Sequence, residues 1–137
     1  MQTYLKVTGV PVPKGSMRHI GNGRMIDQTN VKPWMSAVRA TSLALRSSPE
    51  DIINVPVGIG ITFYFPRPKA AKNRIYPHMR SVGDLDKLCR AVLDGLQPTK
   101  TEPGLLADDS LVVDLWAKKR YTTDGWTGAV IQIDELI

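Results

Sequence analysis

At 137 residues, with 42% hydrophobic and 23% charged side chains, the chain has the make-up of one globular domain with length for a single core. No apolar run approaches the ~20 residues of a membrane span, Met1–Lys6 lacks the order of a secretory leader, and Cys89, the single cysteine, excludes a disulfide framework or a cysteine-rich zinc site; a cytoplasmic setting with no membrane partner is expected. Eighteen Lys and Arg against thirteen Asp and Glu leave a net charge of +5, which favours a polyanionic partner.

In chain order, Leu5 and Val7 predict a short strand that runs into a loop at Gly9 and Pro11. From Pro11 to Pro33 the chain is rich in Gly, Pro, Asn and basic residues with little periodicity, which predicts a long loop. Trp34, Val38 and Leu45 then fall at helical spacing over Trp34–Arg46, opened by Pro33 at the first helical position and closed by Ser47-Ser48-Pro49. Between Val55 and Phe65, apolar residues at every odd position alternate with Pro56, Gly58, Gly60, Thr62 and Tyr64, the pattern of a strand with one buried face. Pro66–Gly83 reads as loop. A second helix follows, with Leu85, Leu88, Val92, Leu93 and Leu96 on or near one face and Asp84 or Asp86 as its cap. After a loop over 97–107, Leu111, Val113 and Leu115 predict a strand, Thr123-Asp124-Gly125 a turn, and Ala129, Ile131 and Ile133 the returning strand. The order β-α-β-α-β-β predicts a single α+β domain over 1–137, with helices packed on one face of a mixed sheet.

Two acidic clusters stand out in this basic chain: Asp84-Leu85-Asp86 at the start of the second helix, and Asp108-Asp109 before the strand near Leu111. Helix starts and strand ends hold side chains at fixed separation. Carboxylates gathered there repel unless a cation lies between them, and an all-oxygen ligand set suits Mg2+ or Mn2+. Each cluster alone also fits a structural role, Asp84 or Asp86 as a helix cap and Asp108-Asp109-Ser110 as a turn.

Pro66–Arg80 carries Arg67, Lys69, Lys72, Arg74 and Arg80 with no acid, and it leads directly into Asp84. A basic arm beside a carboxylate pocket suits a substrate gripped by its phosphates; the arm also reads as a solvated loop. Lys14, Arg18, His19, Arg24 and Lys32 in the first loop, and Lys118-Lys119-Arg120 near the hairpin, extend the candidate phosphate track. Asp86, Arg90 and Asp94 recur every four residues and share a helix face. They form either an exposed ion-pair ladder or a face with Asp86 toward a metal and Lys87 or Arg90 toward phosphate. His19 and His78 are isolated, Cys89 fits a packed position, and no phosphate-binding glycine loop is present, so no nucleotide cofactor is expected. Trp34, Trp116 and Trp126 are expected to anchor packing rather than to stack on bases.

Gly83-Asp84-Leu85-Asp86-Lys87-Leu88, Ala91-Val92-Leu93-Asp94-Gly95-Leu96 and Asp108-Asp109-Ser110-Leu111-Val112-Val113 together resemble the core of RusA-type Holliday-junction resolvases. Gly9-Val10-Pro11-Val12-Pro13-Lys14-Gly15, the Pro66–Arg80 arm and Lys118-Lys119 are similar as well, so the resemblance runs through most of the chain. It implies a homodimer that binds four-way DNA junctions and nicks opposing strands symmetrically with Mg2+, in recombination and repair and often in a phage setting. It also implies metal ligation by Asp84, Asp86 and Asp109, with Asp108 beside them. Arg90 stands where the family commonly has lysine; it keeps the charge but not a releasable proton. Gly83 stands where some members carry a basic residue, with Arg80 the nearest substitute. A non-catalytic module for branched DNA, or a broader flap and fork nuclease, is also compatible with these residues.

Overall fold

Val57, Ile59, Ile61, Phe63 and Phe65 place their side chains on one side of an extended chain, and this row floors the core. The computed structural model describes residues 2–15, 17–19, 25–27, 30–71, 74, 76–78 and 82–136, with the backbone alone for 17–19 and 25–27. Its elements are β1 (Gln2–Thr8), β2 (Met17–His19), β3 (Met25–Asp27), α1 (Val31–Leu43), β4 (Val57–Phe65), α2 (Leu85–Leu96), β5 (Val112–Tyr121) and β6 (Gly128–Glu135), with short 3-10 turns at Lys69–Ala71 and Asp109–Leu111.

Four strands form one sheet in the order β1-β6-β4-β5. β6 runs antiparallel to both of its neighbours, whereas β4 and β5 are parallel and are joined by a crossover that contains α2. The expected mixed sheet, two helices and element order are all present. One addition lies within the segment read as loop: β2 and β3 pair as a separate antiparallel ribbon. At three residues each, they are too short to carry a periodicity.

Three local expectations are corrected. The first helix begins at Val31, so Pro33 is its third residue rather than its first, and Leu45 lies past its end, 49% exposed. Proline is tolerated throughout the first turn because the N–H groups there have no helical acceptor. β4 is buried on both faces, not one: Gly58, Gly60 and Thr62 are as enclosed as the apolar row. Gly60 makes this possible, since a Cβ there would stand 2.0 Å from Cε2 of Trp116, whose indole covers it. β5 starts at Val112, and its alternation marks no buried face near its start, with Val113 63% and Leu115 46% exposed. It is an edge strand, and α2 covers it only in part.

α1 and α2 cross where Gly95 lacks a side chain; a Cβ at that position would lie 2.8 Å from Cβ of buried Val38. Beside this crossing, buried Arg39 donates from Nη2 to the carbonyls of Asp94 (3.1 Å) and Gln97 (2.8 Å). A cation at a helix C-terminus satisfies carbonyls that have no donor within the helix. Trp34 is buried in the core as expected, but Trp116 is 47% exposed. Among the described residues, no helix is long and apolar enough to cross a membrane.

Candidate active site

The start of α2 is held from two sides. Gly83 adopts φ +89, a left-handed conformation suited to glycine, and Pro13 packs so close that a Cβ would stand 2.5 Å from its Cγ. Lys119 donates from Nζ to the Gly83 carbonyl at 2.8 Å. One residue on, Asp84 takes the cap position with an extended backbone but makes no side-chain capping bond, and α2 begins at Leu85. The loop after β1 also binds the helix: the Lys14 amide donates to the Lys87 carbonyl (3.0 Å), and its ammonium pairs with Asp94 (2.5 Å).

Between α2 and the first half of β5 lies a cleft of about 590 Å³. Its floor is Leu85, Cys89, Leu93, Leu115 and Ala117, and its charged lining is Asp86, Arg90, Asp94 and Asp109. The four-residue spacing read from the sequence therefore does place Asp86, Arg90 and Asp94 along one wall. They are not an ion-pair ladder, because Asp94 pairs with Lys14 and, among the described residues, Arg90 pairs with neither aspartate.

Asp109 reaches the same cleft from a distant part of the chain. It opens the 3-10 turn before β5, where the Asp108 side chain accepts from the Ser110 amide at 3.0 Å. Hydrogen bonds from the Ser110 hydroxyl and amide hold the Asp108 carboxyl below its ordinary value. The Asp109 amide donates to Oε1 of Gln97 (3.0 Å), and the Gln97 side-chain amide donates to Asp94 (3.4 Å). Gln97 thus ties the end of α2 to the turn that carries Asp109. Neither Gln97 nor Arg39 carries a local sequence signal, because each bonds backbone groups distant in the chain.

Of the sequence candidates, the fold brings together Asp86, Arg90 and Asp109. Asp84 and Asp108 do not line the cleft: the Asp84 side chain is 72% exposed with Lys87 at 3.7 Å, and Asp108 bonds within its own turn. Among the described residues, no three His, Cys, Asp or Glu side chains converge as a metal-holding group. The donor chemistry nonetheless fits a hard divalent cation. The acids of the cleft offer carboxylate oxygens only, while burial, aided by the Asp86 charge, pushes the Cys89 thiol up to about 11 and disfavours a thiolate ligand.

The basic candidates divide between surfaces. Lys119 lies on the helix side of the sheet and bonds Gly83, whereas its neighbour Lys118 lies on the opposite side, its Nζ 5.6 Å from the Trp116 ring centroid. Arg67 donates to the Arg74 carbonyl (2.5 Å) and its guanidinium lies 5.7 Å from the ring of Tyr121. Lys69 and Arg74 are exposed. Lys72, Arg80 and Arg24, with the side chains of Arg18 and His19, lie outside the described residues.

Residues 7–134 match the family model described as Endodeoxyribonuclease RusA. No curated protein matches the chain significantly.

Proposed function

From the premise that this chain belongs to the RusA endodeoxyribonuclease family, we propose that it is a Mg2+-dependent endonuclease that resolves four-way DNA junctions by paired, symmetric nicks. The observation that carries this reading is the meeting of Asp86 and Asp109, from separate elements, with Arg90 in one cleft. Asp86 and Asp109 would hold the cation from the cleft, and Asp84 and Asp108, which neighbour them in the chain, would turn inward to join them. A divalent ion there, Mg2+ or Mn2+, supplies Lewis-acid activation at the scissile phosphate. The planar Arg90 guanidinium, which lines the cleft, would stabilise phosphate charge. Lys14, Lys87, Lys119 and the Arg67–Arg80 arm, with Arg18 and Lys118, provide positive charge for the DNA backbone. Two copies related by a twofold axis would present two such sites to strands of like polarity. The setting proposed is cytoplasmic, with a phage or prophage origin for the protein and hence the host cytoplasm.

A non-catalytic reading has one observation in its favour: Asp84 and Asp108 interact locally, as structural aspartates do. The experiment that separates the readings is cleavage of a labelled mobile four-way junction beside linear duplex, in Mg2+ and in EDTA. Paired Mg2+-dependent nicks that spare the duplex, lost in Asp109→Asn while junction binding persists, are the expected result. Junction binding with no cut in Mg2+ or Mn2+ overturns the enzyme; equal cutting of flaps and forks replaces the resolvase with a broader nuclease.

A further inference from the structure

The side of the sheet facing away from α1 and α2 carries its own pattern. On β5, Trp116, Lys118 and Arg120 pair with Gly60, Thr62 and Tyr64 of β4, so all three lie on the side opposite the Ile59–Ile61–Phe63 core row. Thr62 in turn pairs with Val130, and Val130 with Lys6. Lys6 and Lys118 therefore occupy the two edges of a single row across the sheet, three strand spacings or ~14 Å apart. Arg120 extends the positive charge into the next row.

Aromatic rings accompany these cations. The Trp116 indole covers Gly60, with three ring atoms within 2.4 Å of where a Cβ would stand, yet the side chain remains 47% exposed. Tyr76 is 55% exposed, 5.7 Å from the Arg120 guanidinium, and Lys6 Nζ is 4.4 Å from the ring of Trp126. At the other end of the same face the charge reverses: Asp114 and Asp134 both pair with Gly58. The face thus has a basic, aromatic end, where Asp124 stands near Lys6, and an acidic end.

We propose that the basic end binds an unpaired DNA strand, with a base stacked on Trp116 and phosphates contacted by Lys6, Lys118 and Arg120. Packing against Gly60 explains why the indole lies where it does. It does not explain why three cations stand beside aromatic rings on a face that, among the described residues, no helix covers. Base stacking on an exposed ring beside backbone-tracking cations is the general chemistry of single-strand recognition and needs no sequence motif. The acidic end repels phosphate and so limits the strand to one half of the face. The inference goes beyond the nuclease reading and shares only Lys118 with it, since this surface lies across the sheet from the Asp86–Asp109 cleft.

The test is fluorescence anisotropy of labelled oligo(dT) of about twelve nucleotides, within the range of known single-strand sites, against an abasic oligomer of equal length. Working in EDTA removes cleavage from the measurement, so failure here leaves the nuclease reading standing, and the reverse. Expected are tighter binding of oligo(dT) than of the abasic chain, and a roughly tenfold loss for oligo(dT) alone in Trp116→Ala, as for one stacked base. Lys118→Gln should weaken both oligomers and reduce the salt slope by about one. Far-UV circular dichroism verifies folding, and Lys118→Gln tests the surface even where Trp116→Ala perturbs the sheet. Wild-type affinity for oligo(dT) in both variants, or no preference over the abasic chain, overturns the proposal. So does a Trp116→Ala variant that shifts the sedimenting species toward monomer without changing oligo(dT) affinity, which assigns the face to a second copy.

Discussion

Gln97 accepts from the Asp109 amide and donates to Asp94, so it sets the distance between two parts of the cleft. Groups that orient site residues in this way typically contribute 10- to 100-fold to activity. Gln97→Ala should therefore lower the junction cleavage rate about tenfold at saturating DNA, with junction affinity unchanged; a change in affinity alone would refute a positioning role. Cys89 behaves differently. It is 6% exposed, with its thiol pushed up to about 11 from an ordinary 9.0 by burial and by Asp86. The neutral thiol is thus favoured in the folded state, and its contribution to stability is full below the unfolded value and lost as pH rises through about 11. At pH 8, a thiol reagent should label Cys89 slowly in the native protein and rapidly in urea; equal rates would show that the cleft floor is open.

At the scale of elements, the crossing of α1 and α2 at Gly95 makes a quantitative expectation. Alanine gains up to ~1 kcal/mol in helix propensity over glycine, while overpacking against Val38 costs about 1–3 kcal/mol. With a Cβ only 2.8 Å from Val38 Cβ, the second term should win. Gly95→Ala is expected to lower Tm by several degrees, measured by thermal melting; an increase would mean that the helices separate at little cost. The same scale shows what was legible beforehand. α2 was readable because its apolar and charged residues segregate strongly, and β4 because it alternates over nine residues. The second buried face of β4 was not, because glycine in a strand does not say what covers it. The exposure of Val113 and Leu115 follows from β5 lying at the sheet edge, a property of strand order that no local pattern encodes. In the site, both acidic clusters were visible as sequence. Their separation into Asp86 and Asp109, which line the cleft, and Asp84 and Asp108, which do not, depends on local geometry at a helix cap and a 3-10 turn. The pairing of Lys14 with Asp94 spans 80 residues and left no trace in either segment alone.

For the molecule as a whole, a single cluster of buried residues contains side chains from β1, α1, β4, α2, β5 and β6. Its elements cannot lose their packing separately, so unfolding should be cooperative. Urea transitions followed by far-UV circular dichroism and by tryptophan fluorescence, which includes buried Trp34, are expected to coincide; separated midpoints would reveal a subdomain. The sheet that unites the cluster is assembled out of chain order. β6, the latest-made of the described elements, sits between β1, the earliest, and β4. A chain emerging from the ribosome must therefore hold β1 and β4 without a shared neighbour until β6 appears. Asp86 and Asp109 lie within the β4–β5 crossover, so the acids of the cleft are translated before the strand that completes their scaffold. Protein synthesis itself delays the assembled cleft until nearly the whole described chain has been made.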